Sequence, residues 1–157
     1  KTDKGGVALG LAGAEALRDA YRALEQRLGP RVLVAPMAGP GIEMILGARR
    51  DPQFGPVVML GFGGIHAEVL KDAVFALPPF DKGYARRRMD GLKMRPLLDG
   101  LRGKPPCDVD ALCELAARFS AMVDALRDFI EEIDINPVIV TAGGAVAVDA
   151  LVVSRRQ

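Results

Sequence analysis

Near the carboxyl end of the chain, residues 131–137 read Glu-Glu-Ile-Asp-Ile-Asn-Pro. Polar and apolar residues alternate here, and successive side chains of a strand point to opposite faces. The alternation therefore predicts a strand with Glu132, Asp134 and Asn136 on one face. Carboxylate and amide oxygens aligned in this way suit a hard divalent cation.

The segment that follows predicts a β-hairpin. Gly143-Gly144 is typical of a tight turn, and a hairpin centred there returns Asp149 close to Asn136. Asp149 stands in an otherwise apolar strand, where a buried carboxylate is costly unless it faces a cation and phosphates. The alternative is that these residues form the exposed face of an edge hairpin. The pattern alone does not choose between the two.

The rest of the chain predicts an α+β fold, in which a largely antiparallel sheet is flanked by helices and ends in that hairpin. Apolar spacing of three and four predicts a helix over 13–28, which Gly29-Pro30 ends. Asp108 is placed to cap a helix over 109–126. One or two helices are expected within 81–101. The predicted strands are 31–37, 42–48, 57–62, 65–77, 129–136, 138–140 and 145–153.

The composition argues against nucleic-acid binding, membrane association and a disulfide-bonded fold. Half of the 157 residues are apolar, and the formal charge of +1 offers no broad basic surface for nucleic acid. There is no apolar run long enough to span a bilayer and no signal peptide at the start, so a cytoplasmic protein without a membrane partner is expected. Cys107 and Cys113 have no matching pair elsewhere, and both are predicted to be reduced.

Other candidate residues have competing explanations. Lysines beside Gly5-Gly6 suit a phosphate, although glycines also mark simple turns. Residues 86–88 are three arginines, for which a solvated helix face is favoured over a phosphate site. His66 is the single histidine and lacks a defined partner, so a structural role is favoured over a catalytic one.

Taken together and in this order, these segments resemble the ATP-grasp domain of NDP-forming (ADP-forming) acyl-CoA synthetases, the group that includes acetate–CoA ligases and is related to the succinyl-CoA synthetase β subunit. Seven matching stretches in register span nearly the whole chain. They are KTDKGGV (1–7), GIEMILG (41–47), DPQFGPVV (51–58), GFGGI (61–65), EVLKD (68–72), LDGLRG (98–103), and DINP (134–137) followed by VDA (148–150).

The resemblance implies ATP or ADP with Mg²⁺ as ligands, and it implies a set of site residues. Mg²⁺ would be held by Asn136 and Asp149, with Asp134 as a third ligand directly or through water. The expected nucleotide contacts are Lys1, Gly5 and Gly6 near the phosphates, Val34 and Met37 beside the adenine, and Glu43. The resemblance assigns no catalytic side chain to this chain, and it does not transfer a phosphohistidine role to His66.

The resemblance also implies that residues 1–157 are a partial ATP-grasp domain without its upstream lobe. The whole protein would make acyl-CoA, ADP and phosphate from an acid, CoA and ATP through a phosphohistidine. CoA-binding and ligase domains would lie in the same protein or in a partner subunit, and this piece alone would be inactive. The alternative function is the ligand-sensing, synthetase-like region of a bacterial protein lysine acetyltransferase. A carboxylate–amine ligase is a third, weaker alternative, and the acyl group stays undetermined.

Overall fold

A computed structural model describes residues 5–64, 71–101 and 103–155, and the chain divides into two compact units, Lys1–Ala38 and Gly39–Gln157. Within the described residues no helix combines the length and apolar character needed to cross a membrane.

The first unit contains one helix, α1 (Gly13–Leu28), with the bounds that the sequence predicts. Gly29 ends it with a φ of 97°, and its amide donates to the Glu25 carbonyl at 3.0 Å. The helix has no buried residue. The strand predicted at 31–37 is wrong, because this segment is exposed and pairs with no strand among the described residues. Local β propensity makes a strand only where a partner completes the ladder.

The second unit holds the sheet and two further α-helices. Its strands are β1 (Ile42–Asp51), β2 (Gly55–Phe62), β3 (Ala73–Ala76), β4 (Ile130–Thr141), β5 (Gly144–Ala147) and β6 (Ala150–Ser154). Its helices are α2 (Lys82–Met89), a 3-10 helix (Arg95–Asp99) and α3 (Val109–Ala125). The Asp108 carboxylate accepts a hydrogen bond from the Ala111 amide at 2.9 Å, which confirms the predicted cap.

The described strands form one antiparallel sheet in the order β3-β2-β1-β4-β5, with β6 also paired to β4. The long strand β4 therefore lies against β1 on one side and against two short strands on the other. The second half of β4 pairs with β5, and the first half pairs with β6. The predicted α+β class, the antiparallel pairing and the terminal hairpin are confirmed.

The core lies between one face of this sheet and the helices of the second unit. Met44, Leu46 and Ala48 alternate along β1 toward these helices, as alternating strand residues should. The helices contribute Met89 and Leu112, each 0% exposed, among others. The opposite face, here called the second face, carries Ile45, Gly47, Arg49, Glu132 and Asp134.

Three predicted strands need correction. The single strand predicted at 145–153 is observed as two, β5 and β6, and Asp149 lies in the break between them. The strand predicted at 65–77 is observed as Ala73–Ala76, while residues 65–70 lie outside the described residues. The break predicted at Pro137 is absent, because β4 runs continuously through it. Met44 pairs with Val138 and Leu46 with Ile135, so a step of two residues on β1 corresponds to three on β4. Pro137 thus lies at a bulge, where its missing amide hydrogen is tolerated.

Candidate functional site

The alternation of residues 131–137 places two carboxylates on the second face of the sheet. Ile133 is buried in the core at 2% exposure, and Glu132 and Asp134 point the other way. Directly opposite them on β1 are Arg49 and Gly47, respectively. Because Gly47 has no side chain, β1 presents no side chain directly opposite Asp134.

The hairpin brings Asp149 beside Asn136, as the sequence predicts. The turn is formed by residues 142 and 143, and Thr141 pairs with Gly144. The Asn136 amide donates to the Asp149 carbonyl at 3.2 Å, and the Val148 amide donates to the Pro137 carbonyl at 3.0 Å. The backbones of Asn136 and Asp149 are therefore neighbours beside β4, and the Asp149 carboxylate is near enough to Asp134 to repel its charge.

Electrostatics make Asp134 the most perturbed acid of this group. Burial, followed by repulsion from the Glu132 and Asp149 carboxylates, raises the pKa of Asp134 above its usual range. The negative charge of Asp134 is therefore disfavoured in the folded chain, and a bound cation would relieve that cost. Perturbed carboxylates of this kind are frequent at functional sites.

Asp149 is not buried, although its apolar neighbours in the sequence suggest that it would be. The residue is exposed, and so is the whole of β6. Its carboxylate accepts a hydrogen bond from the Ala150 amide at 3.0 Å. Because β5 and β6 lie at the edge of the sheet, their apolar side chains are not enclosed. A role for Asp149 in metal binding consequently depends on its position beside Asn136 and not on desolvation.

The donor set suits Mg²⁺ in its chemistry. Asp134 and Asp149 offer carboxylate oxygens and Asn136 offers a neutral amide oxygen, all of them hard ligands. Over residues 5–64, 71–101 and 103–155, no three His, Cys, Asp or Glu side chains are grouped to hold a metal. That finding is compatible with Mg²⁺, which usually takes one or two carboxylates and completes its shell with waters and substrate phosphates.

The nucleotide contacts expected in the first unit lie on irregular segments. Gly5 adopts a φ of 60°, and its carbonyl accepts a hydrogen bond from the Arg27 guanidinium at 3.1 Å. Gly6 follows it and is half-buried. Val34 and Met37 are 62% and 60% exposed. Lys1 lies outside the described residues.

Glu43, the remaining expected contact, lies near the start of β1 and is exposed. The Gly63 amide donates to its carbonyl at 2.8 Å, which places the Gly63-Gly64 turn over this residue. A methyl group on Gly64 would lie only 2.6 Å from Glu43 Oε2. The turn and the carboxylate are thus in close contact.

The arginines at 86–88 are explained by local contacts, as favoured from the sequence. Arg86 pairs with Asp110 at 3.3 Å, Arg87 lies 5.8 Å from the centroid of the Tyr84 ring, and Arg88 donates to the Phe75 carbonyl at 2.9 Å. Both cysteines are free thiols, as predicted. His66 lies outside the described residues.

Sequence reasoning missed one structurally important acid, Asp72. It is 7% exposed, and its carboxylate accepts hydrogen bonds from the amides of Lys93 and Met94 at 3.0 and 2.7 Å. It therefore joins the start of β3 to the helical layer. Only the resemblance drew attention to this position, because one aspartate beside a lysine carries no periodic signal.

Comparison with known proteins gives consistent results. The family model described as ATP-grasp domain matches residues 1–153. The ADP-forming acetate–CoA ligase II subunit beta of Pyrococcus furiosus is 44% identical over 124 residues, which cover 78% of this chain and 52% of that protein. The ADP-forming acetate–CoA ligase I subunit beta of the same organism is 37% identical over 158 residues, covering 96% and 68%.

A solved structure adds agreement in three dimensions. It is the dinucleotide-forming acetyl-coenzyme A synthetase of Ca. Korarchaeum cryptofilum in complex with coenzyme A and Mg-AMPPCP, its phosphohistidine segment pointing towards the nucleotide-binding site. The TM-score is 0.87 at 37% identity, over 98% of this chain and 70% of that one. The chain spans about half the length of the first Pyrococcus relative, 52% of it.

Proposed function

This chain belongs to the ATP-grasp domain family of the ADP-forming acyl-CoA ligases, and from that premise we propose that it binds ATP and Mg²⁺ within such a ligase. Residues 1–157 would be part of one ATP-grasp domain. The remaining lobe and the CoA-binding and ligase domains would come from the same protein or a partner subunit. The observation that carries the proposal is the backbone pairing of Asn136 with Asp149, together with the electrostatic repulsion between the Asp134 and Asp149 carboxylates.

Each of these three side chains has a distinct part. Asp134 would contribute a charged oxygen whose charge the fold itself disfavours, so that it gains most from a cation. Asn136 would contribute a neutral oxygen, which limits the accumulated negative charge facing the nucleotide. Asp149 would contribute the second charge from an exposed position. When bound, Mg²⁺ neutralises phosphate charge and aligns the transferring group.

Glu43 would contact a different part of the nucleotide from these ligands. A carboxylate without a metal repels phosphate oxygens, so its favourable partners are hydrogen-bond donors such as hydroxyl or amino groups. Gly5 and Gly6 would offer backbone amides to phosphate oxygens, with Lys1 supplying positive charge. Val34 and Met37 would provide apolar contact for the base.

The proposed reaction of the whole ligase has three steps. A histidine nitrogen outside this chain attacks the γ-phosphorus of ATP, and ADP leaves. The phosphoryl group then passes to the carboxylate of an acid, giving an acyl phosphate. The thiol of CoA finally displaces phosphate, giving acyl-CoA. In this scheme, the part of this chain is to bind and align ATP for the first step.

The first step is testable without knowing the acid. Full-length protein incubated with ATP radiolabelled at the γ-phosphate and Mg²⁺ should form an acid-labile phosphoenzyme and release one ADP for each label bound. Asn136→Ala should abolish labelling, while Asp128→Ala, at an exposed residue outside the site, should not. Release of AMP and pyrophosphate, or unchanged labelling in Asn136→Ala, would contradict the proposal.

A further inference from the structure

The Gly63-Gly64 turn is locked onto Glu43 by its backbone. The Gly63 amide donates to the Glu43 carbonyl at 2.8 Å, which extends the β1–β2 ladder by one pair beyond Met44 and Phe62. A methyl group on Gly63 would lie 3.3 Å from the Glu43 carbonyl and from Ile45 Cγ1. The position of the turn relative to Glu43 is therefore set by a hydrogen bond and by close packing.

Gly64 then brings the turn against the Glu43 side chain. Its φ of 62° lies in the left-handed region, where other residues are strained. A methyl group here would lie 2.6 Å from Glu43 Oε2, so any side chain must displace the carboxylate. In the described part of the chain, the Glu43 carboxylate accepts no hydrogen bond and joins no ion pair. Its acceptor capacity is therefore available to a ligand.

From these contacts we infer that Gly64 is a positioning residue for nucleotide binding: its missing side chain allows the Glu43 carboxylate to lie where it meets donor groups of the nucleotide. The inference rests on the proposed function, because it requires Glu43 to contact ATP. Gly64 itself need not touch the nucleotide. Its effect is transmitted through one carboxylate, and that is the feature that a purely structural glycine would lack.

A double-mutant cycle tests this transmission in the full-length protein, with ATP and Mg²⁺ titrated by calorimetry. Gly64→Ala and Glu43→Ala should each weaken ATP binding by about tenfold, the order expected for loss of one hydrogen bond to a charged group. Once Glu43 is alanine there is no carboxylate to displace, so adding Gly64→Ala should weaken binding no further.

Gly55→Ala is the matched control. Gly55 has a φ of 75°, similar to that of Gly64, but a methyl group there meets no atom within 4 Å. It therefore reproduces the backbone strain without the collision, and ATP affinity should stay within twofold of the parent protein. Equal effects of Gly64→Ala and Gly55→Ala, or an effect of Gly64→Ala that persists undiminished with Glu43→Ala, would overturn the inference.

The cycle stays informative if Gly64→Ala does not fold. In that case Gly64→Asn takes its place in the cycle with the same expected and overturning results, because asparagine tolerates a positive φ better than alanine and still adds a side chain against Glu43. Failure of the proposed function has a different signature, namely a parent protein that binds no ATP. A parent that binds ATP with Mg²⁺ but is indifferent to Glu43→Ala would leave that function standing and reject the role of Gly64.

Discussion

Asp134→Asn should stabilise the metal-free protein while weakening its binding of Mg²⁺-ATP. Asp134 and Glu132 lie two residues apart on one strand, which separates their side chains by about 7 Å. Coulomb repulsion at that distance is roughly 0.6–1.2 kcal/mol for an effective dielectric constant between about 80 and 40. Burial, the largest cause of the raised pKa of Asp134, and a further repulsion from Asp149 act in the same direction. Because the group is only partly buried, solvent screening reduces the total to about 1 kcal/mol.

Urea denaturation of metal-free protein measures this gain, and its pH dependence gives the sign. Since the pKa of Asp134 is raised on folding, its charge destabilises the fold at pH values above that pKa. The penalty disappears as the pH falls through the folded pKa. The advantage of Asp134→Asn should therefore be present at neutral pH and vanish in acid. In the same variant, Mg²⁺-dependent ATP affinity should fall by about tenfold or more, since even outer-shell metal partners are worth 10–100-fold.

Glu131→Gln is the control for Asp134→Asn, because it removes one charge from an exposed position of the same strand. It should change neither property to a comparable extent. A destabilised Asp134→Asn protein, or one that keeps full Mg²⁺-ATP affinity, would contradict this prediction. If Asp134→Asn stabilised the protein equally at all pH values, the electrostatic explanation of the gain would be wrong, while the predicted role in Mg²⁺ binding would stand.

Three further predictions concern stability, titration and reactivity. Asp72→Ala should lower the free energy of unfolding by about 1–3 kcal/mol, because two backbone amides lose their acceptor. Asp72→Asn should lower it less. An unchanged midpoint of urea denaturation for Asp72→Ala would contradict this prediction. The amides of Phe54 and then Gln53 lower the pKa of Asp51, so its contribution to stability is present above the ordinary aspartate pKa and is lost as the pH falls through the lowered one. An NMR titration midpoint for Asp51 at or above that of an unperturbed aspartate would disprove it. Cys113 is 0% exposed, and burial raises the pKa of its thiol. Iodoacetamide should therefore modify Cys113 in the native protein more slowly than it modifies Cys107. Equal modification rates, measured by mass spectrometry, would argue against this prediction.

The elements that sequence predicts well here are those in which local pattern and tertiary environment agree. The spacing within α1 defines its bounds without any knowledge of partners. The alternation around Ile133 and the Gly143 turn predict both β4 and the return of Asp149 to Asn136. In each case a short-range pattern carries the required information.

Failures occur where distant residues decide the structure. Residues 31–37 have strand composition but lack a pairing partner in the described chain. Pro137 stays within β4 because the bulge opposite β1 accommodates it, and a bulge depends on the register of two strands that are far apart in the sequence. The exposure of Asp149 follows from its place between β5 and β6, the two short strands at the edge of the sheet. The burial of Asp72 follows from the helical turn that reaches it. None of these is encoded in a local pattern.

The most direct test of the account is calorimetric titration of ATP onto the full-length protein, with and without Mg²⁺, for the parent, Asn136→Ala and the control Asp128→Ala. We predict that parent and control bind ATP much more tightly with Mg²⁺ than without it, and that Asn136→Ala loses this metal-dependent difference while staying folded. Metal-dependent binding that survives in Asn136→Ala, or a parent whose ATP affinity is the same with and without Mg²⁺, would contradict the assignment of the site.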